Sequence, residues 1–234
     1  MERDENVMNL NTKKHKVFTT KNMILVAMFG AISMALMMVD FPIPIAPSFM
    51  KFDFADLPAM LATFMMGPVE GILVCIVKLA LRLIIRGTET AFVGELANLI
   101  AAIAYMVPAA LIYHFRRTKK GAAIALTVGT ITVSIVCVLS NLFFIFPAYS
   151  KLYGIPMDAI IGMGHAINSH INSLFSLMIL SILPFNLIKF GVVSIVTFLV
   201  YKRLKHLILS SLYHGFSLFK SPFVNASLTA IYIS

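Results

Sequence analysis

Several apolar runs in this chain approach or exceed the roughly 20 residues that cross a bilayer as an α-helix, and the polar segments between them are too short to bury a core of their own. That feature excludes most folds. Of the 234 residues, 59% are hydrophobic and only 12% are charged, and the mean hydropathy is +0.91. The composition is that of an all-α integral membrane protein. A net charge of +9 would suit a nucleic-acid binder, yet the basic residues stand at the edges of the apolar runs. That is how lysine and arginine mark cytoplasmic loops. Cys75 and Cys137 both lie inside apolar runs and read as small packing residues. A polar segment precedes the first apolar run, so the start does not read as a cleavable signal peptide.

In chain order, residues 1–21 end basic and read as a cytoplasmic lead-in. A first helix is expected from Asn22 to Val39, with Ala27, Ala31 and Ala35 at i, i+4 and i+8. Such a stripe either lets a second helix approach closely or is ordinary membrane-helix filler. The segment Asp40–Phe54 contains Pro42, Pro44 and Pro47, which forbid helix and favour a stiff, extended loop. Its apolar side chains suit a lid over a cavity or a simple seal on the bundle. Asp56 and Pro58 start a short helix that Gly67-Pro68 ends. A third helix runs to Ile85 with Lys78 and Arg82 on one face. A fourth begins near Phe92, carries Glu95 and Asn98 in its first two turns, and closes on the basic run Arg116–Lys120. A fifth spans Gly121–Phe144, with Asn141 near its end.

The segment Lys151–Leu183 is too polar in its first half to face lipid, and its second half is too short to cross alone. Parity places it outside the membrane, because the final helix, Leu183 to Tyr201, must deliver Lys202, Arg203 and Lys205 to the cytoplasm. Six transmembrane helices with both termini cytoplasmic result. Asn186 and Lys189 head the last helix, three positions apart and so on one face. An ammonium in hydrocarbon costs about 2.5–3.5 kcal/mol. Two readings fit: Lys189 snorkels while Asn186 bonds its own backbone, or the pair lines a ligand site. His165, His170, Asp158 and Glu95 are the only candidates for chemistry, and the histidines are five apart with no HExxH or GxSxG motif. The chain therefore does not read as an enzyme, and it lacks the paired broken helices of a secondary transporter.

The runs FPIPIAPSFMKFDFADLPAMLATFMMGPVEG (Phe41–Gly71), SNLFFIFPAY (Ser140–Tyr149) and PFNLIK (Pro184–Lys189) together resemble the riboflavin-binding S components of energy-coupling-factor (ECF) vitamin transporters. The likeness spans about Met23 to Lys205. It implies a six-helix substrate-binding domain over residues 22–206, capped by a lid loop between the first two helices, with a tail of unassigned role at 207–234. It also implies a multi-pass protein of the prokaryotic plasma membrane. Its ligand would be riboflavin, and its partners a transmembrane coupling subunit and two ABC-type ATPases that consume the ATP. No cofactor and no metal are implied. Carried over by position, Asn141, Asn186 and Lys189 match flavin contacts. Phe41, Ile45, Phe49 and Tyr149 are candidates to face the ring, with Lys51 and Asn98 nearby. Lys51 stands where a small hydroxyl residue is expected, and a second ammonium there suits a phosphorylated flavin. Ala27, Ala31 and Ala35 fall where S components dock the coupling subunit. Alternatives are an S component for thiamin or biotin, or an autonomous carrier.

Overall fold

The structure is a computed structural model and describes residues 19–47, 50–88, 90–154 and 156–216. Phe49, residues 1–18 of the N-terminal lead-in and residues 217–234 of the tail lie outside the described residues. The main elements are α1 (Thr20–Met38), the short strands β1 (Phe41–Pro42) and β2 (Lys51–Phe52), α2 (Asp56–Met65), α3 (Pro68–Arg86), α4 (Val93–Phe115) and α5 (Lys119–Ser140). They are followed by α6 (Phe146–Tyr153), α7 (Met157–His165), α8 (Leu174–Leu177) and α9 (Leu183–Phe216). The described residues hold four helical stretches long and apolar enough to cross a membrane: Thr20–Met38, Val93–Phe115, Lys119–Leu152 and Leu174–Arg203.

Local chemistry sets the helix starts. Thr19 accepts the Asn22 backbone N–H at the head of α1, and Thr118 accepts that of Gly121 at the head of α5. Gly67, at φ 138°, makes the turn that lets Pro68 open α3. The helix α2 is only 10 residues long, and eight of them, Asp56 and Pro58 to Phe64, are buried. It is buried nearly all round because it sits inside the bundle, packed against α1, α3, α4 and α9. Close approaches need glycine. A Cβ on Gly129 of α5 would lie 2.8 Å from the Tyr105 carbonyl of α4, and one on Gly30 of α1 would lie 2.5 Å from Val77 of α3.

Two helices run further than their sequences suggest. Lys119–Leu152 is one helical stretch of 34 residues, and Leu174–Arg203 one of 30. At 1.5 Å per residue they reach about 51 and 45 Å, well beyond the ~30 Å of hydrocarbon. Each contains a π-helical turn, at Asn141–Ile145 and Met178–Ile182. Each turn ends two residues before a proline, Pro147 or Pro184, whose ring would clash with the carbonyl one turn back in a regular α-helix. The wider turn accommodates the proline and the helix continues. Leu174–Leu183 is therefore the first part of the last long helix, and the fifth ends eight residues beyond Phe144. What lies outside both is the polar connection 154–173, which contains α7.

Candidate ligand-binding site

The apolar interior is divided. One cluster is built on α2, Val26 of α1, the middle of α3, and the middle and basic ends of α4, α5 and α9. A second joins Val93, Ile145, Phe146, Ile160, Ile171, Leu177, Met178 and Ile182, with Met50 and Tyr149 packed on it. Along three helices a polar residue stands at or near the change from one cluster to the other. On α4 Asn98 lies between Ala97 and Ala101; past the end of α5 Asn141 lies three residues beyond the change between Cys137 and Val138; near the head of α9 Asn186 and Lys189 lie between Ile182 and Phe190. α5 packs against α4, α9 and both π turns, so it is the element that connects these residues.

Each of the three asparagines is anchored in the same way. Nδ2 donates to the carbonyl four residues back: Asn98 to Gly94 at 3.0 Å, Asn141 to Cys137 at 2.7 Å and Asn186 to Ile182 at 2.8 Å. The backbone-bonded reading of Asn186 is thus correct for that N–H. A carboxamide also has a second N–H and a carbonyl oxygen, so anchoring fixes the group without exhausting it. Asn141 opens the first π turn, and Asn186 bonds the last residue of the second. Such turns re-aim side chains and recur at functional sites.

Lys189 does not snorkel. It is buried, and its Nζ donates to Asp53 Oδ2 at 2.8 Å, with the Phe190 ring centroid 5.9 Å away. Asp53 Oδ1 accepts the Ala55 backbone N–H at 2.8 Å, and the Ala55 carbonyl in turn accepts the Ser33 hydroxyl of α1. A second buried pair, Lys78–Asp56 at 2.7 Å, links α3 to α2. Nearer the α3–α4 turn, Arg82 donates to Glu95, whose other oxygen accepts the hydroxyls of Thr88 and Thr90. The sequence offers no local signal for these partners. Lys78 and Arg82 announce a polar face on α3, but the carboxylate opposite Lys189 is 136 positions away.

The segment between α1 and α2 is extended, as its prolines require. Phe41 pairs with Phe52 and Pro42 with Lys51 in an antiparallel ladder. Its tip is tied to the second π turn, where Ser181 Oγ donates to the Ile45 carbonyl at 2.8 Å. Ile45 also lines a cleft of about 430 Å³ with Pro44, Leu180 and residues 167–171. That size is within the range of small-molecule sites. The other expected residues are more dispersed. Phe41 is exposed and stacks on Phe52 with centroids 5.3 Å apart. Lys51 is half-exposed and pairs with Asp40 at 3.3 Å, a carboxylate that also lies 3.8 Å from Arg86. Tyr149 is half-buried against the second cluster. Ala27, Ala31 and Ala35 are all exposed, forming one outward stripe on α1.

A bundle of apolar helices that carries anchored carboxamides and buried charge pairs, with an extended loop tied to it, is the construction of a membrane protein that binds a small solute. The chain belongs to the family of ECF transporter substrate-specific components, whose model matches residues 21–201. It is 33% identical to the riboflavin transporter RibU of Staphylococcus aureus over 192 residues, covering 82% of this chain and 94% of that one. It is 33% identical to the riboflavin transporter FmnP of Bacillus subtilis over 186 residues, covering 79% and 92%. Among solved structures, the S component of a bacterial ECF transporter matches with a TM-score of 0.63 and 34% identity, over 80% of this chain and 97% of that one. The protein is a membrane transport component, not an enzyme.

Proposed function

We propose that the protein captures riboflavin at the outer face of a prokaryotic plasma membrane and delivers it inward with partner subunits. The observation that carries this reading is the set of anchored carboxamides close to where the two larger apolar clusters part. Three anchored carboxamides on three helices offer both donors and acceptors, which suits the uracil-like edge of an isoalloxazine ring. The apolar clusters on either side suit the ring's faces. The names of the relatives in Staphylococcus aureus and Bacillus subtilis support the same ligand. Asn98, Asn141, Asn186 and Lys189 are the proposed contacts, reached from the cleft beside Ile45. Phe41, Lys51 and Tyr149 frame the approach.

The remaining architecture is proposed on the same basis. Six helices (α1 to α5 and the Leu174–Arg203 stretch) form a domain over residues 22–206, with both termini cytoplasmic and the Asp40–Phe54 segment as lid. The basic run Arg116–Lys120 and the Lys202-Arg203 end of the last helix support that orientation. The exposed Ala27/Ala31/Ala35 stripe faces away from the bundle, where a transmembrane coupling subunit could seat against it. Two ABC-type ATPases complete the assembly and supply the energy.

Reconstitution into proteoliposomes tests the reading. Vesicles holding the protein alone should accumulate no riboflavin; vesicles holding the coupling subunit and both ATPases as well should accumulate it when ATP is enclosed with the ATPases. Uptake by the protein alone would make it an autonomous carrier, and full-complex uptake of thiamin or biotin in its place would change the ligand.

A further inference from the structure

Asp53, Asp56, Lys78 and Lys189 form a quartet of two carboxylates and two ammonium groups, none more than 7% exposed. The ion pairs are Asp53–Lys189 at 2.8 Å and Asp56–Lys78 at 2.7 Å. The quartet sums to zero charge. Buried net charge is expensive, so a balanced group of this kind accepts a neutral neighbour far more readily than a charged one. Asp53 is also held in place from outside the site. Its Oδ1 is fixed by the Ala55 N–H, and the Ala55 carbonyl by Ser33 of α1, so the carboxylate presents Oδ2 to Lys189 as part of the backbone turn into α2.

Resting on the riboflavin reading above, we propose that Asp53 is a positioning and specificity-determining residue: it orients Lys189 as a hydrogen-bond donor while cancelling its charge, so that the site selects an uncharged flavin over an anionic, phosphorylated one. Lys189 without Asp53 is a net positive charge in a low-dielectric interior, and attracts a phosphate even at a distance of about 10 Å. The Asp40, Lys51 and Arg86 group at the lid base is half-exposed and screened by water, and has correspondingly less influence on the choice.

The test is quenching of flavin fluorescence by purified protein, titrated with riboflavin and with riboflavin 5′-phosphate. The readout is the ratio of the two affinities. For Asp53→Asn that ratio should move toward the phosphate by about tenfold or more, while Asp53→Glu, which keeps the charge, should hold the wild-type ratio. A residue that merely supports the fold would weaken both ligands alike and leave the ratio unchanged; that result overturns the inference and leaves the riboflavin reading standing. Should Asp53→Asn fail to fold, Lys189→Gln is compared with the double variant Asp53→Asn/Lys189→Gln. The single variant, one negative charge in excess, should discriminate against the phosphate about tenfold more strongly than the balanced double; equal ratios overturn the inference. Wild-type protein that quenches neither flavin overturns both the inference and the reading it rests on.

Discussion

Lys189 illustrates why a single side chain is hard to interpret from sequence. An ammonium near the head of an apolar helix has two economical solutions, reaching water or finding a carboxylate, and the sequence around Pro184–Phe190 permits either. The fold chooses the second, through a residue on the far side of the chain. The same logic governs Lys78 and Asp56, 2% and 7% exposed at their side chains. Breaking a buried pair by removing one partner strands a charge and costs about 3–5 kcal/mol. Lys78→Met is therefore expected to lower the thermal unfolding midpoint in detergent sharply, and the double variant Lys78→Met/Asp56→Leu to recover much of the loss. A double variant no better than the single would show that the pair is not isolated within the bundle. Asn186 should behave differently. Its anchoring bond to Ile182 is intrahelical, so Asn186→Ala should change the unfolding midpoint little while costing about 1–3 kcal/mol of flavin affinity.

Helix boundaries were legible where capping chemistry writes them. Gly67-Pro68 ends α2 and opens α3, and the prolines of Asp40–Phe54 enforce an extended segment that pairs as β1 and β2. They were illegible at Pro147 and Pro184, because proline ordinarily ends or kinks a helix. Here a π turn before each one absorbs the missing N–H and the ring, and no composition rule signals it. The same turns place Asn141 and Ser181 on the face they occupy. Pro184→Ala is therefore expected to relax the Met178–Ile182 turn toward regular α-helix, rotating residues 174–181 relative to Asn186 and releasing the Ser181–Ile45 tether. Riboflavin should dissociate faster from this variant in stopped-flow quenching, with little loss of thermal stability. Packing between elements offers a contrasting case. Gly129→Leu puts a side chain where the Tyr105 carbonyl already lies within 2.8 Å of the Cβ position. It should cost about 1–3 kcal/mol of stability through overpacking, read from the unfolding midpoint.

For the protein as a whole, hydropathy and basic flanks sufficed to read a helical membrane protein, and three short runs of residue identity sufficed to read the family. What they could not supply was the division of the interior into separate apolar clusters, since that depends on which helices are neighbours. The exposed alanine stripe and the anchored carboxamides lie on different parts of the molecule, and capture and energised delivery should separate accordingly. Ala31→Leu is expected to bind riboflavin as wild type does, yet to lose uptake in the reconstituted transporter, because a larger side chain holds the coupling helix away.

The most direct measurement is an equilibrium titration of riboflavin fluorescence with the detergent-purified wild-type protein beside Asn141→Ala, Asn186→Ala and Lys189→Ala. Near-stoichiometric quenching by wild type, weakened roughly fivefold to a hundredfold in each variant, is the expected result. Quenching that is tight in wild type and unchanged in all three variants would contradict the placement of the ligand at the anchored carboxamides and Lys189.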